Sequence, residues 1–200
     1  MIVGISGYAR SGKDEAAKAL IAAGWRRDAF ADRLRAFLLA QNPIVLYPVP
    51  GGVPEYTRLS VLVNDIGWER AKLESPEVAD LLLRCGTEAG RRVLGADVWV
   101  NAVMREYDLA MNSYSLNPAD EPRLVITDVR FENEAEAIRQ RGGLVIRIER
   151  PGVLPRRTSS GAWHVSETAL DDYEFDSVIL NDGTPEDLRR DIAARLSFWL

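Results

Sequence analysis

Apolar residues along this chain fall into two kinds of run: short continuous blocks, and longer stretches in which they recur at helical spacing. Continuous blocks bounded by turn residues predict buried strands, and helical recurrence predicts amphipathic helices. Ile2-Val3-Gly4-Ile5 is the first block. Residues 15–23, rich in Ala and of good helix propensity, follow as a helix that stops at Gly24. Phe30-Ala31-Asp32-Arg33-Leu34-Arg35-Ala36-Phe37-Leu38-Leu39 predicts a second helix, with Asp32 near its cap and its end before Pro43. Residues 42–56 hold Pro43, Pro48, Pro50, Pro54, Gly51 and Gly52, which break any long helix or central strand and predict an excursion over the surface. Ser75-Pro76-Glu77 is a helix start leading through Val78 toward Val93, and another helix covers 96–111.

The second half alternates strand and helix more openly. Residues 122–127 predict a buried strand with Asp128 at its C-terminal end. Asn133-Glu-Ala-Glu136 predicts a capping box for a helix that stops at Gly142-Gly143, and Leu144-Val-Ile-Arg-Ile148 is the next strand. Residues 150–168 are polar and rich in Arg, Pro, Gly and Ser. Ser177-Val178-Ile179-Leu180 predicts a last strand, and Thr184-Pro185-Glu186-Asp187 caps a terminal helix with Leu188, Ile192, Leu196 and Trp199 on one face. Such alternation implies an α/β fold with a parallel sheet.

Composition narrows the classes of function. At 200 residues, 46% hydrophobic and 28% charged, the chain fits one α/β domain with a full core. A net charge of −5 argues against coating a nucleic-acid polymer or an anionic membrane. No apolar run approaches a membrane span, and a strand-and-loop start leaves no room for a signal peptide, so the expected location is cytoplasmic. One cysteine, Cys85, excludes an internal disulfide, and one histidine, His164, excludes a Cys/His zinc cluster. No Asn-Lys pair exists, which removes a guanine-reading Asn-Lys-x-Asp segment.

Chemistry enters with Gly7-Tyr-Ala-Arg-Ser-Gly12-Lys13-Asp14, directly after the first strand. Two glycines let the backbone turn with its amides pointing inward at phosphate oxygens, and Lys13 adds a point charge at the β/γ-phosphates. Asp14 stands where the pattern wants a Ser or Thr hydroxyl for Mg²⁺. The G-x-G-x-x-G spacing of a dinucleotide fold is absent. Asp128, after a strand, is a candidate for the acid that organises a metal, or a turn residue. Arginines in 150–168 suit a lid that neutralises transferring phosphate and excludes water.

The loop, together with Phe30-Ala31-Asp32, Gly67-Trp68-Glu69, Gly86-Thr87-Glu88-Ala89-Gly90-Arg91 with Trp99 after it, Asp128-Val-Arg130-Phe131-Glu132-Asn133-Glu134, His164-Val-Ser166-Glu167 and Asn181-Asp182-Gly183-Thr184, resembles phage-type deoxynucleoside monophosphate kinases across nearly the whole chain. The resemblance implies a three-layer P-loop kinase fold, a parallel sheet with helices on both faces. It divides the chain into a core of 1–29, 84–149 and 177–200, an acceptor-binding region of about 30–83 and a lid of about 150–168. It further implies transfer of the ATP γ-phosphoryl to a deoxynucleoside 5′-monophosphate with Mg²⁺, between small-molecule substrates, in a protein for which a homodimer is compatible. In this reading Gly7, Ala9, Arg10, Ser11, Gly12, Lys13, Asp14 and Glu15 hold the donor phosphates, with backbone amides from Ala9 to Asp14. Arg91 and Arg130 grip the acceptor phosphate, Asp32, Arg35, Thr87 and Glu88 face the acceptor nucleotide, and Arg150, Arg156 and Arg157 belong to the lid. Asn181, Asp182, Gly183 and Thr184 line the donor adenine, and Asp14 or Asp128 organises the metal, directly or through water. Members of the family often carry Thr after Gly-Lys-Asp; here Glu15 stands there. A related kinase acting on dephospho-coenzyme A or phosphomevalonate, or an ATP-binding module without catalysis, shares the loop.

Overall fold

The computed structural model describes residues 1–47, 49, 51–116, 121–155, 157, 163 and 165–197. They form two compact units, Met1–Phe30 with Val100–Leu200, and Ala31–Trp99.

In the first unit, β1 (Ile2–Ser6) lies at the centre of a five-stranded sheet and is buried along its whole length. Its neighbours are β5 (Leu124–Val129) and β6 (Leu144–Glu149), with β2 (Arg26–Asp28) outside β5 and β7 (Ser177–Leu180) outside β6. Every pairing is parallel. Strands buried on both faces need apolar residues at successive positions, which is why Ile2-Val3-Gly4-Ile5 reads as a continuous block. Val3 and Ile5 point to one face, into a cluster with Ala16, Ala17 and Leu20 of α1 (Lys13–Ala22) and Leu188 and Ile192 of α8 (Pro185–Arg195). The opposite face takes Ile138 of α6 (Glu132–Arg139); a Cβ on Gly4 would lie 2.5 Å from its methyl group. Thr184 caps α8 as expected, with the Asp187 amide donating to its hydroxyl at 3.2 Å and the Thr184 amide donating back to the Asp187 carboxylate at 3.0 Å.

The β1–β5 register slips between Gly4↔Ile126 and Ser6↔Val129. Strand β5 runs on to Val129, so Asp128 sits within it rather than beyond it, correcting the expected strand of 122–127. The following helix also starts earlier than Asn133. Glu134, buried, accepts the amides of Arg130 at 2.7 Å and Phe131 at 3.1 Å, so the cap forms at Phe131 and α6 begins at Glu132.

The second unit holds the remainder of α2 (Phe30–Gln41), α3 (Leu59–Glu74), α4 (Pro76–Leu83), a wide π-helical segment (Arg84–Leu94) and the first residues of α5 (Val98–Leu116). Residues 42–56 are more than an excursion: β3 (Ile44–Tyr47) and β4 (Glu55–Arg58) pair antiparallel, and Val45 joins Leu38, Leu59, Leu62, Ala71 and Val78 in a small core. Pro43 and Pro54 fall just before the two strands, where ladder donors are not required. Helix α3 is interrupted at Gly67 (φ 76°, ψ 161°), a break the sequence reading did not foresee.

Residues 84–99, expected with the core, belong to this second unit. Trp99 explains the grouping: its indole N–H donates to Gly86 O at 3.0 Å and its ring lies edge-on to Phe37 at 6.1 Å. A Cβ on Gly90 would stand 2.6 Å from Cys85 O and 2.8 Å from the Trp99 ring. In the Gly-Thr-Glu-x-Gly-Arg block Gly90 thus makes room for the indole, whereas a Cβ on Gly86 would meet the Leu34 side chain at 2.9 Å. Among the described residues no helix is long and apolar enough to cross a membrane.

Gly90→Ala is expected to destabilise this unit by about 1–3 kcal/mol, since neither a backbone carbonyl nor a packed indole can retreat. Thermal unfolding with tryptophan fluorescence checks it; an unchanged melting temperature would show that the block is not packed as described.

Candidate active site

At the C-terminal end of β1 the chain turns through Gly7 (φ 136°), where a Cβ would meet Ile148 O at 2.4 Å and Ser11 Oγ at 2.7 Å. Gly12 (φ 107°) closes the turn, and a side chain there would strike Asn181 Nδ2 at 2.5 Å. Between them Arg10 adopts a left-handed conformation at φ 69°, a strained choice for a residue with a Cβ. The Ser11 amide donates to Tyr8 O at 3.1 Å, and Asn181 donates its side-chain N–H to Ser11 O at 2.8 Å. Sterics therefore require both glycines, and a residue 170 positions away holds the loop shut.

Lys13 heads α1, a start one turn fragment earlier than expected. Its ammonium donates to Gly7 O and Tyr8 O, both at 2.7 Å, bridging the near side of the loop. The first amides of α1 have no acceptor within their own helix and point where an anion would sit, aided by the helix dipole. Burial, and then the Arg130 guanidinium, push the Lys13 ammonium down to about 8, partly offset by Glu167, Asp14 and Asp128. Ala9, expected among the phosphate donors, is committed elsewhere: its amide donates to Glu167 Oε2 at 2.7 Å.

Glu15 turns away from the loop. It pairs with Lys18 at 2.7 Å and with Arg189 of α8, and these cations hold its carboxyl below the usual range, the Lys18 hydrogen bond most strongly. Asp14 is exposed at the head of α1. Asp128 is half-buried, and its Oδ1 accepts the Phe30 amide at 2.8 Å. Arg130, at the end of β5, donates through Nη1 to Glu167 Oε1 at 2.8 Å and to Ser166 Oγ at 3.3 Å.

Beyond the loop, a pocket of about 230 Å³ is lined by Tyr8, Ser11, Arg147, Glu149, Arg150 and Val153 among others. Ser11 Oγ is buried there without a hydrogen-bond partner among the described residues. Arg150 is thus brought beside the loop. Arg157 lies over the Trp163 ring at 3.8 Å. Arg156 and His164 lie outside the described residues. Asn181 is a buried clamp whose amide also donates to Glu149 O at 2.6 Å, while Asp182, Gly183 and Thr184 are exposed and the Thr184 side chain caps α8.

The second unit carries the remaining candidates. Thr87 and Glu88 are exposed on the π-helical segment with Arg91, and π turns often mark sites of function. Arg35 is held by Asp32 at 3.5 Å and Glu69 at 2.8 Å, with Trp68 below it at 5.8 Å. Sequence reasoning gave no role to Glu167, Tyr8, Arg147 or Asp171. Only the His164-Val-Ser166-Glu167 block hinted at one of them, since burial of a carboxylate is invisible in a polar stretch.

The glycine-framed loop between a central parallel strand and a lysine-headed helix defines a P-loop α/β protein. A family model described as deoxynucleotide monophosphate kinase matches residues 91–192, and the chain belongs to that family. Among curated relatives, a putative deoxynucleotide monophosphate kinase of Acanthamoeba polyphaga mimivirus is 42% identical over 32% of this chain. The deoxynucleotide monophosphate kinase of Escherichia phage RB69 is 37% identical over 48%, and the uncharacterized protein ORF77 of Ictalurid herpesvirus 1 is 37% identical over 62%. The matches span 31%, 39% and 53% of those three relatives' own lengths, in the order mimivirus, phage, herpesvirus. The solved structure of TT1252 from Thermus thermophilus aligns over 100% of this chain and 98% of its own, at 20% identity and a TM-score of 0.42.

Lys13 gives a pH signature with opposite signs for binding and stability. Its ordinary value is 10.5 and its folded value about 8, so the unfolded chain binds the extra proton between these limits. The Lys13 contribution to stability is unfavourable below about 8 and is relieved as pH rises toward 10.5. Affinity for a nucleotide phosphoryl donor is expected to fall over the same rise, because the neutral amine no longer attracts phosphate. Calorimetric titration from pH 7 to 10 checks this, with Lys13→Arg expected to flatten the fall; equal pH dependence in both proteins would exclude Lys13 as its source.

Proposed function

We propose that the protein transfers the γ-phosphoryl group of ATP to the 5′-phosphate of a deoxynucleoside monophosphate, giving ADP and a deoxynucleoside diphosphate. The observation that carries this reading is the loop gripped by Lys13, at the head of a helix whose first amides have no acceptor within the helix, in a chain of the deoxynucleotide monophosphate kinase family. An acceptor phosphate oxygen attacks the γ-phosphorus in line while the bond to the β–γ bridging oxygen breaks. The acceptor oxygen is already ionised, so no general base is required, and positioning and charge neutralisation do the work.

In this reading the α1 amides and Lys13 hold the donor phosphates. Arg130 and Arg91 suit the acceptor phosphate through their planar forks. Arg150, with Arg156 and Arg157, covers the transferring group, and Asp32, Arg35, Thr87 and Glu88 face the acceptor nucleotide. Asn181 through Thr184 flank the donor base. Mg²⁺ usually takes one or two carboxylates and draws its remaining ligands from phosphate and water, and the donor set fits that habit. Asp14 and Asp128 both lie close enough to act on Lys13, while the described residues contain no cluster of three or more acids, Cys or His. Those two carboxylates would hold the ion, whose chemistry there is to neutralise phosphate charge. Viral and phage relatives support a role in supplying precursors for DNA synthesis in a host cytoplasm.

Coupled measurement of ADP release with dAMP, dGMP, dCMP, dTMP and modified bases tests the reading; no stimulation by any of them refutes it. Lys13→Ala is expected to lower transfer by roughly a thousandfold or more with the fold intact. Arg91→Ala is expected to raise KM for the acceptor by about tenfold or more with a smaller change for ATP.

A further inference from the structure

One short stretch, 167–171, grips the phosphate loop from outside by two parallel devices. Glu167 of α7 (Val165–Thr168) has a side chain only 2% exposed. Its two oxygens divide their work: Oε2 accepts the Ala9 amide at 2.7 Å and Oε1 accepts Arg130 Nη1 at 2.8 Å. Asp171 repeats the arrangement, accepting the Tyr8 hydroxyl at 2.9 Å and Arg147 Nη2 at 2.8 Å, with the Arg147 guanidinium 4.9 Å from the Tyr8 ring. Each carboxylate joins a loop residue to an arginine, Arg147 on β6 and Arg130 just past the end of β5.

The two devices differ in what they leave open. Arg147 spends its guanidinium on Leu170 O, Asp171 and Glu149 and is buried. Arg130 makes its side-chain bonds through Nη1 alone, so its Nη2 and Nε edge has no partner among the described residues. That edge is the bidentate face of the fork, and Lys13 is near enough for the two cations to feel each other. A carboxylate buried this deeply is tolerated only because it is paired, and its pairing fixes the direction in which the open edge points.

We propose that Glu167 is a positioning residue, which locks the Arg130 guanidinium to the Ala9 amide so that the arginine offers one fixed edge to the acceptor phosphate. The proposal rests on the transfer reaction proposed above. It requires Glu167 to act through Arg130, and energetic coupling between the two measures that directly. Glu167→Gln is expected to lower kcat/KM for the deoxynucleoside monophosphate by about 30-fold, and by less than about 3-fold in an Arg130→Met background. Glu167→Asp, which keeps the charge on a shorter stem, is expected to recover part of the loss, with thermal unfolding confirming that each variant is folded. Equal losses in both backgrounds, or a Glu167→Gln variant at the wild-type rate, would overturn the proposal.

If the unmodified protein serves no acceptor, the transfer reading fails by itself and a binding-independent measurement decides the positioning role. Hydrogen exchange at the Ala9 amide is then expected to quicken by about tenfold or more in Glu167→Ala, with β1 protection unchanged. Unaltered exchange at Ala9 would overturn it.

Discussion

A half-buried ammonium sets the terms for everything at the C-terminal edge of the sheet. Lys13 lies against two backbone carbonyls of the loop it follows, and both hydrogen bonds are short. Taking such a charge out of water is unfavourable, and the neighbouring Arg130 makes it more so. The surrounding acids, Glu167, Asp14 and Asp128, offset part of that cost. An incoming polyphosphate would offset more of it, because burial leaves the ammonium less stabilised than it would be in water.

The loop itself has little freedom to relax. Gly7 and Gly12 are pressed against Ile148 O and Asn181, and Arg10 is held in a conformation that residues with side chains rarely adopt. Strain of this kind persists only where surroundings over-determine it. Here the surroundings are Asn181 on one side and the 167–171 stretch on the other.

Much of this was legible in the residues. The continuous apolar blocks of β1, β5, β6 and β7 announced a buried parallel sheet, and Gly7, Gly12 and Lys13 announced the loop, because local backbone geometry and charge dictate those residue types. Thr184 through Asp187 gave the cap of α8 for the same reason. What escaped depended on distant partners. The β3–β4 pair was hidden because its prolines dominate the local pattern and its register depends on packing within the second unit. The part played by Glu15 also escaped, because a position beside a motif suggests a ligand, whereas Arg189 on α8 turns the carboxylate aside. Glu167 was unreadable because nothing local reveals that a glutamate in a polar stretch lies buried.

Asn181 reaches back to Ser11, and that hydrogen bond spans nearly the whole chain. A nascent chain carries the glycines and the lysine well before it carries Glu167, 158 positions beyond Ala9, and Asn181, 170 positions beyond Ser11. The early segment therefore stays a glycine-rich turn without its supports until those distant residues are made. The loop thus gains its supports late, from distant residues rather than from its own sequence.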